Sequence, residues 1–333
     1  VGVDATLGLS VRMSAGLLLK NELRRRFSRE MSVTTATDTR WLPSLAELVL
    51  GVGLCLEEKA LRHTASTVVS SLVAAGAGFG CPVTRYIVET LTNSYLGVRE
   101  VGDVGLEGAM DALVKVWEDC PLTVLEGERE EEEGDVTGGP SGSNGAVWWS
   151  GAWQQVLRLL EGTAGAQQVP PMEDERAKRY TQTQVLLIQV LNYALYNQSG
   201  FLDGVGVIDR YIASLFALAT HPDPSIRRVV CVGLNHLTEL APSKISASNN
   251  LPNLIEYMIA ATEDTVNEQV ALEASEFWTV FAEAGFDGNT LRPFVPRIVP
   301  LLLRNMRFEE WDESVQEAEA VEEAAGGPDE AGT

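Results

Sequence analysis

Metal-binding and catalytic residue types are scarce in this sequence. Its three histidines, His63, His221 and His236, stand in unrelated contexts, and its four cysteines, Cys55, Cys81, Cys120 and Cys231, form no CxxC pair. With no HExxH and no Cys/His spacing, the chain offers no metal set, and the cysteines read as buried thiols of a reducing compartment. There is no GxxxxGK[ST] phosphate loop and no GxSxG elbow, and "GGPSGSNG" lacks the strand that a phosphate-cradling turn needs. These absences argue against an enzyme; no catalytic residue, cofactor or metal is expected. Basic residues are also few, 25 against 47 acidic, for a net charge of −22. That balance excludes nucleic acid or an anionic membrane as the main partner and favours a basic protein. No apolar run reaches the roughly 18 to 20 residues of a transmembrane helix. The nearest, "LPSLAELVLGVGLCLEEK", is interrupted by Glu47 and diluted by glycine. The opening residues lack the charged start, apolar run and cleavage site of a secretory signal.

What is present is helical periodicity, clearest between Ile208 and Ala284. Ile208, Ile212, Leu215, Phe216 and Ala219 recur at helical spacing, stop at "HPDPS", and resume with Ile226, Val229, Val230, Leu234 and Leu237. Leu251, Leu254, Ile255, Met258 and Ile259 form a third stripe, and Val270, Ala274, Phe277 and Phe281 a fourth. Ile226 and Val270 play the same role 44 residues apart, as do Val230 and Ala274. That offset lies within the period of about 40 to 47 residues of HEAT and armadillo units, hairpins that cannot bury an apolar face without neighbours. The expected fold is all-α, a right-handed superhelical HEAT-repeat solenoid, and its expected work is binding.

From the start, a helical pattern through Val11, Leu17, Leu18, Leu23 and Phe27 ends in Arg24, Arg25, Arg26 and Arg29, cations that suit a helix C-terminus. No capping element precedes it, so the sequence is expected to begin inside a larger protein. Leu42–Lys59 and Ala60–Ala75 read as the next pair, then a poorly patterned helix around Thr84–Leu96 and a cleaner one from Gly105 to Cys120. Arg62 opens its helix as Arg227 does after "HPDPSI". Two readings stand for such an arginine, a tie to a buried acidic or carbonyl partner of the next repeat and a solvated side chain. Residues 126–147 are charged, then rich in Gly and Ser, and read as a disordered insert. Trp148, Trp149 and Trp153 resume the helices, "GTAGAQQVPPMEDERAK" reads as a loop, Tyr180–Tyr196 as a helix, and "SKISASNN" as a linker. Leu291–Phe308 opens a further hairpin, with Pro300 expected to kink it. Residues 309–333 hold ten carboxylates and no base, an acidic disordered segment.

Five stretches resemble one family closely: "SAGLLLKNELRRRF", "LEGAMDALVKVWEDC", "IDRYIASLFALATHPDPSIRRVVCVGLNHLTEL", "LPNLIEYMIAATEDTVNEQVALEASEFWTVFAE" and "LRPFVPRIVPLLLRNM". They look like the N-terminal arch of transportin, the karyopherin-beta 2 branch of the importin-beta family, and "NEQVALEASEFWTVFAEAG" is the most specific of them. On that resemblance, residues 1–125 correspond to the second half of repeat 2 through repeat 4, and 148–308 to repeats 5 through the first helix of repeat 8. Residues 309–333 correspond to the start of an acidic loop within repeat 8. The family's first repeat and cargo arch lie outside the likeness, and the insert replaces a short connection.

The resemblance implies a nuclear import receptor shuttling between cytoplasm and nucleus through the pore. Such a receptor is a monomer that binds Ran in its GTP form, nucleoporins, and cargo bearing a nuclear localisation signal, without nucleic acid or membrane partners. It places the Ran-facing surface on the second helices of the hairpins, near Arg62, Glu107, Asp111, Glu118, Asp119, Glu268 and Glu273, with Glu276 on the same face. The acidic loop would comprise Glu309, Glu310, Asp312, Glu313, Glu317, Glu319, Glu322 and Glu323. The competing reading from the repeats alone is a HEAT scaffold of another class, such as a phosphatase regulatory subunit.

Overall fold

The computed structural model describes residues 6–26, 40–78, 83–119, 144–164, 174–197, 206–247 and 251–306. Among them every regular element is helical, and the helices form two layers. The second helices of the hairpins make one layer: α1 (Leu9–Arg26), α3 (Lys59–Gly78), α5 (Val104–Asp119), α7 (Asp174–Asn197), α9 (Pro224–Leu240) and α12 (Glu268–Glu283). The first helices make the other: α2 (Leu42–Gly51), α4 (Val83–Thr90), α6 (Asn144–Ala164), α8 (Val207–Leu218), α11 (Leu251–Thr262) and α14 (Val295–Asn305). Two short helices, α10 (Pro242–Ala247) and α13 (Gly288–Leu291), lie in connections. Each second-layer helix packs on the next in unbroken order from α1 to α12, including α5 on α7 across the insert. The chain is thus one continuous HEAT-repeat solenoid, with five hairpins and one unpaired helix at either end of the described array.

Local chemistry sets the hairpin turns. Asp223 caps α9, its carboxylate accepting from the Ser225 N–H at 2.8 Å, and Pro224 occupies the first turn, where no N–H is required. Asp103 does the same for α5, accepting from Gly105 and Leu106. Asp264 accepts from Val266 and Asn267 ahead of α12. Gly206 precedes α8 at φ 72° and Gly285 follows α12 at φ 74°, backbone conformations that side chains with a Cβ avoid.

The apolar faces meet between the layers. Trp117, Tyr211, Phe277 and Phe281 are almost wholly buried, each worth about 1.5–3 kcal/mol in transfer from water. Trp117 of α5 lies 5.1 Å from Trp153 of α6, ring centre to ring centre, and Phe281 stacks on Phe286 at 4.2 Å. Gly108 lets α5 approach the turn after α2 closely: a Cβ there would stand 2.3 Å from the Leu54 carbonyl oxygen.

Several boundaries differ from those expected. α2 ends at Gly51, with a 3-10 turn at Gly53–Cys55 in place of a helix to Lys59, because two glycines weaken the helix there. The helix expected around Thr84–Leu96 is α4 followed by a π-helical turn over Leu91–Leu96. α6 starts at Asn144, inside the stretch read as insert. α7 starts at Asp174, inside a stretch read as loop; Asp174 and Glu175 suit a helix N-terminus electrostatically. The linker "SKISASNN" contributes to α10. The stripe read as one helix from Leu291 is divided between α13 and α14, with Pro296 in the first turn of α14 and Pro300 within it. Residues 126–143 of the insert and the acidic segment from 309 lie outside the described residues, as do Cys81 and Cys120. Cys55 is half-buried and Cys231 buried, both as free thiols.

Candidate functional site

The second layer carries the residues expected to bind a partner, and its geometry begins with the joints between repeats. Arg62, in the first turn of α3, donates to the Leu56 and Glu57 carbonyls at 2.7 and 2.6 Å and to Glu107 Oε2 of α5 at 2.9 Å. Arg227, in the first turn of α9, donates to the His221 and Pro222 carbonyls and to Asp264 Oδ2 at 3.0 Å. Both arginines therefore tie their own turn to the following repeat. Of the two readings left open for them, the tie is the one observed. The consequence for Arg62 and Glu107 is a correction: both are 4% exposed, and they spend their charges on each other inside the fold, so neither presents a contact surface.

A second ladder runs along the same layer. Asn192 of α7 donates to the Val229 carbonyl of α9 at 3.2 Å, and Asn235 of α9 donates to the Glu273 carbonyl of α12 at 2.9 Å. Ser66 of α3 reaches the Gly108 carbonyl of α5 at 3.3 Å. Gly233 faces this network: a Cβ there would lie 2.7 Å from Asn192 Oδ1 and 3.1 Å from the Tyr211 hydroxyl. Tyr211 donates to Asn192 Oδ1 at 2.5 Å, and burial pushes its phenol above the ordinary tyrosine value.

The remaining expected residues lie on α5 and α12. Asp111 accepts from or faces His63 Nδ1 of α3 at 3.0 Å. Asp119 bridges Arg24 of α1 at 2.8 Å and accepts from the Ser70 hydroxyl at 2.7 Å. Burial pushes its carboxyl upward, but Ser70 and Arg24 outweigh that and hold it below the ordinary aspartate value. Glu118 pairs with Lys115 and accepts from the Tyr193 hydroxyl of α7 at 3.0 Å. Burial, reinforced by Glu118, pushes the Tyr193 phenol up to about 12. Glu273 bridges Arg228 of α9 at 2.7 Å, while Glu268 is exposed in the first turn of α12. The structure thus brings Asp111, Glu118 and Asp119 together on α5 and sets Glu268 and Glu273 on α12. The acidic loop residues Glu309, Glu310, Asp312, Glu313, Glu317, Glu319, Glu322 and Glu323 lie outside the described residues.

Between these two helices the layer opens into a groove of about 650 Å³, walled by α5, α7, α9 and α12, a size within the usual range of ligand sites. Glu118 and Glu273 line it, together with Tyr193, Tyr196, His236 and Glu239. The groove escaped sequence reasoning because its walls come from four helices; Glu239 and Glu276, each on a second helix, were its visible signal. Among the described residues no cluster of His, Cys, Asp and Glu could hold a metal, and no helix is long and apolar enough to cross a membrane.

No family model matches the chain. It is 28% identical over 315 residues to importin subunit beta-2 of Schizosaccharomyces pombe, a match covering 93% of this chain and 29% of that protein. To transportin-1 of Oryza sativa subsp. japonica it is 31% identical over 313 residues, covering 93% and 30%. A shorter match to transportin-1 of Mus musculus is 35% identical over 105 residues, covering 32% and 11%. The crystal structure of Kap121p superposes with a TM-score of 0.40 at 14% identity, over 93% of this chain and 31% of that one. The chain spans less than a third of the length of the curated relatives it matches. By sequence likeness along nearly its whole length, the chain belongs to the transportin, or importin beta-2, branch of the importin-beta family.

Proposed function

We propose that this chain is the Ran-binding part of a nuclear import receptor that moves between cytoplasm and nucleus. It binds without catalysis, and the second-layer carboxylates face the GTPase in its GTP form. The observation that carries this reading is the continuous likeness to importin beta-2 and transportin-1 over 93% of the chain. The contact residues are Asp111, Glu118 and Asp119 of α5 and Glu268 and Glu273 of α12. Arg62 and Glu107 support that surface from within by fixing α3 against α5. Carboxylates held by cross-helix partners lose little side-chain freedom on meeting a Lys or Arg, which favours a basic partner. Cargo with a nuclear localisation signal and nucleoporins belong in this reading to the whole receptor, in which the acidic loop couples Ran binding to cargo release.

The test is binding of the purified chain to Ran loaded with a non-hydrolysable GTP analogue and, in parallel, with GDP, at low and physiological salt. The expected outcome is preference for the GTP form, weakened by salt. Equal binding of both forms, or none by a folded monomer, overturns the reading for this chain and returns it to the class of general HEAT scaffolds.

A further inference from the structure

α14 is a first helix with no second helix after it among the described residues. Its Ile298 and Leu301 join the core, but Val295, Val299, Leu303 and Met306 share another side at helical spacing, and all four are exposed. The acidic stretch that follows has an apolar pattern of its own. Trp311, Val315 and Ala318 stand 41 residues after Val270, Ala274 and Phe277, the buried stripe of α12. Val270 and Ala274 themselves stand 44 residues after Ile226 and Val230 of α9. Both offsets lie within the period of about 40 to 47 residues of a helical-hairpin repeat. Val321 and Ala325 extend the stripe along the same side of a helix. No proline or glycine interrupts residues 301–325, and Gly326, Gly327 and Pro328 then supply a stop. Glu309, Glu310 and Asp312 suit the start of such a helix electrostatically. Against it stand Glu309, Glu313 and Glu317, like charges four residues apart that disfavour the helix in isolation. The segment therefore needs an apolar surface to fold against, and α14 offers one.

We propose that residues 309–325 are the second helix of the last hairpin, docked through Trp311, Val315 and Ala318 on the Val295, Val299 and Leu303 side of α14. α14 ends at Asn305, so residues 306–308 form the turn, a length usual for antiparallel helix pairs. The driving force is burial of apolar surface that each partner otherwise exposes. Glu313, Glu317 and Glu323 fall on the opposite side of the docked helix. Docking makes the acidic segment a fixed continuation of the second layer beyond α12, with its carboxylates held in place, where composition by itself suggests a free tether. A second copy of the chain would cover the same face of α14, but the return of the stripe after 41 residues favours the segment that follows directly.

Hydrogen–deuterium exchange of the whole chain, read by mass spectrometry on peptides spanning residues 309–325, tests the inference. Amides of this segment are expected to exchange about tenfold or more slowly in the parent than in W311A/V315A. V299D/L303D, which changes only exposed residues of α14, should release the segment from the other side of the contact. Circular dichroism and unchanged protection of α9 and α12 confirm that each variant keeps the array. Added salt should increase the protection, because it screens the repulsion among the glutamates and leaves the apolar contact intact. Exchange of the parent segment at the rate of an unstructured chain overturns the inference. Protection that survives in folded V299D/L303D also overturns it, since the helix then rests elsewhere. Protection that rises with protein concentration, together with a dimer mass, assigns the face of α14 to a second copy and overturns it as well. Ran is absent from every measurement, so the result bears on the hairpin alone and leaves the Ran-binding reading to its own test.

Discussion

The α3–α5 and α9–α12 joints have the same arginine at the same place and treat it differently. Arg62 and Glu107 are both 5% exposed in their side chains, whereas Arg227 and Asp264 are 19% and 20% exposed. The acid that meets Arg62 comes from the second helix of the next repeat; the acid that meets Arg227 comes from the turn of the next repeat, where it also accepts from the Val266 and Asn267 N–H groups ahead of α12. The repeat therefore specifies the cation and the two carbonyls it closes over, and leaves the anion to whatever the neighbour can supply. A buried pair is sensitive to loss of one partner, while a partly exposed pair is buffered by water.

That contrast can be broken most severely at Glu107. Glu107→Ala leaves the Arg62 guanidinium buried without its carboxylate, and it is expected to cost about 3–5 kcal/mol, read as a fall in the urea midpoint. A loss below about 1 kcal/mol would mean that the Leu56 and Glu57 carbonyls satisfy the arginine by themselves.

Asp264→Ala removes both the partner of Arg227 and the acceptor of two turn N–H groups, for an expected loss of about 1–2 kcal/mol. This joint is also sensitive to acid. Burial raises the Asp264 carboxyl, but its bonds from Asn267, Arg227 and Val266 prevail and hold it below the ordinary value. Because the folded pKa is the lower one, the stabilisation is complete above the unfolded aspartate value of about 3.9 and is lost as pH falls through the folded value. Urea midpoints of the parent should therefore fall more steeply than those of Asp264→Asn across that acid window. Parallel curves for the two proteins would remove Asp264 from the account. The smallest effect is expected from Arg228→Ala, whose bridge to Glu273 is half open to water on the arginine side: about 0.2–1 kcal/mol, diminishing with salt.

The repeat architecture was legible from apolar spacing because each helix buries one stripe and because the same roles return 44 residues later at Ile226 and Val270. Arg62 and Arg227 could be matched for the same reason. Glu107 could not be recognised as buried, since its partner lies 45 residues away and a carboxylate in a first helical turn ordinarily faces water. A signal was present beside it: Gly105, Gly108, Ala109 and Ala112 mark the face of α5 that approaches its neighbours most closely. The groove was less accessible still, because residues from Glu118 to Val280 converge there only through the stacking of four helices. Helix starts at Asn144 and Asp174 were obscured by Gly, Pro and charge in the preceding residues, where composition suggests a loop even when the chain has already begun to coil.

The two layers also imply a direction of compliance. The second layer is stitched from helix to helix by the Asn192 and Asn235 bonds and by the arginine joints, and its members pack in unbroken succession. The first layer is joined more sparsely, with little contact between α8 and α11. When such a stack flexes, the stitched layer keeps its length and serves as the neutral plane, while the other spreads or closes like the outer leaves of a spring. Curvature can then change to admit partners of different girth while the spacing of charges along the stitched layer stays constant.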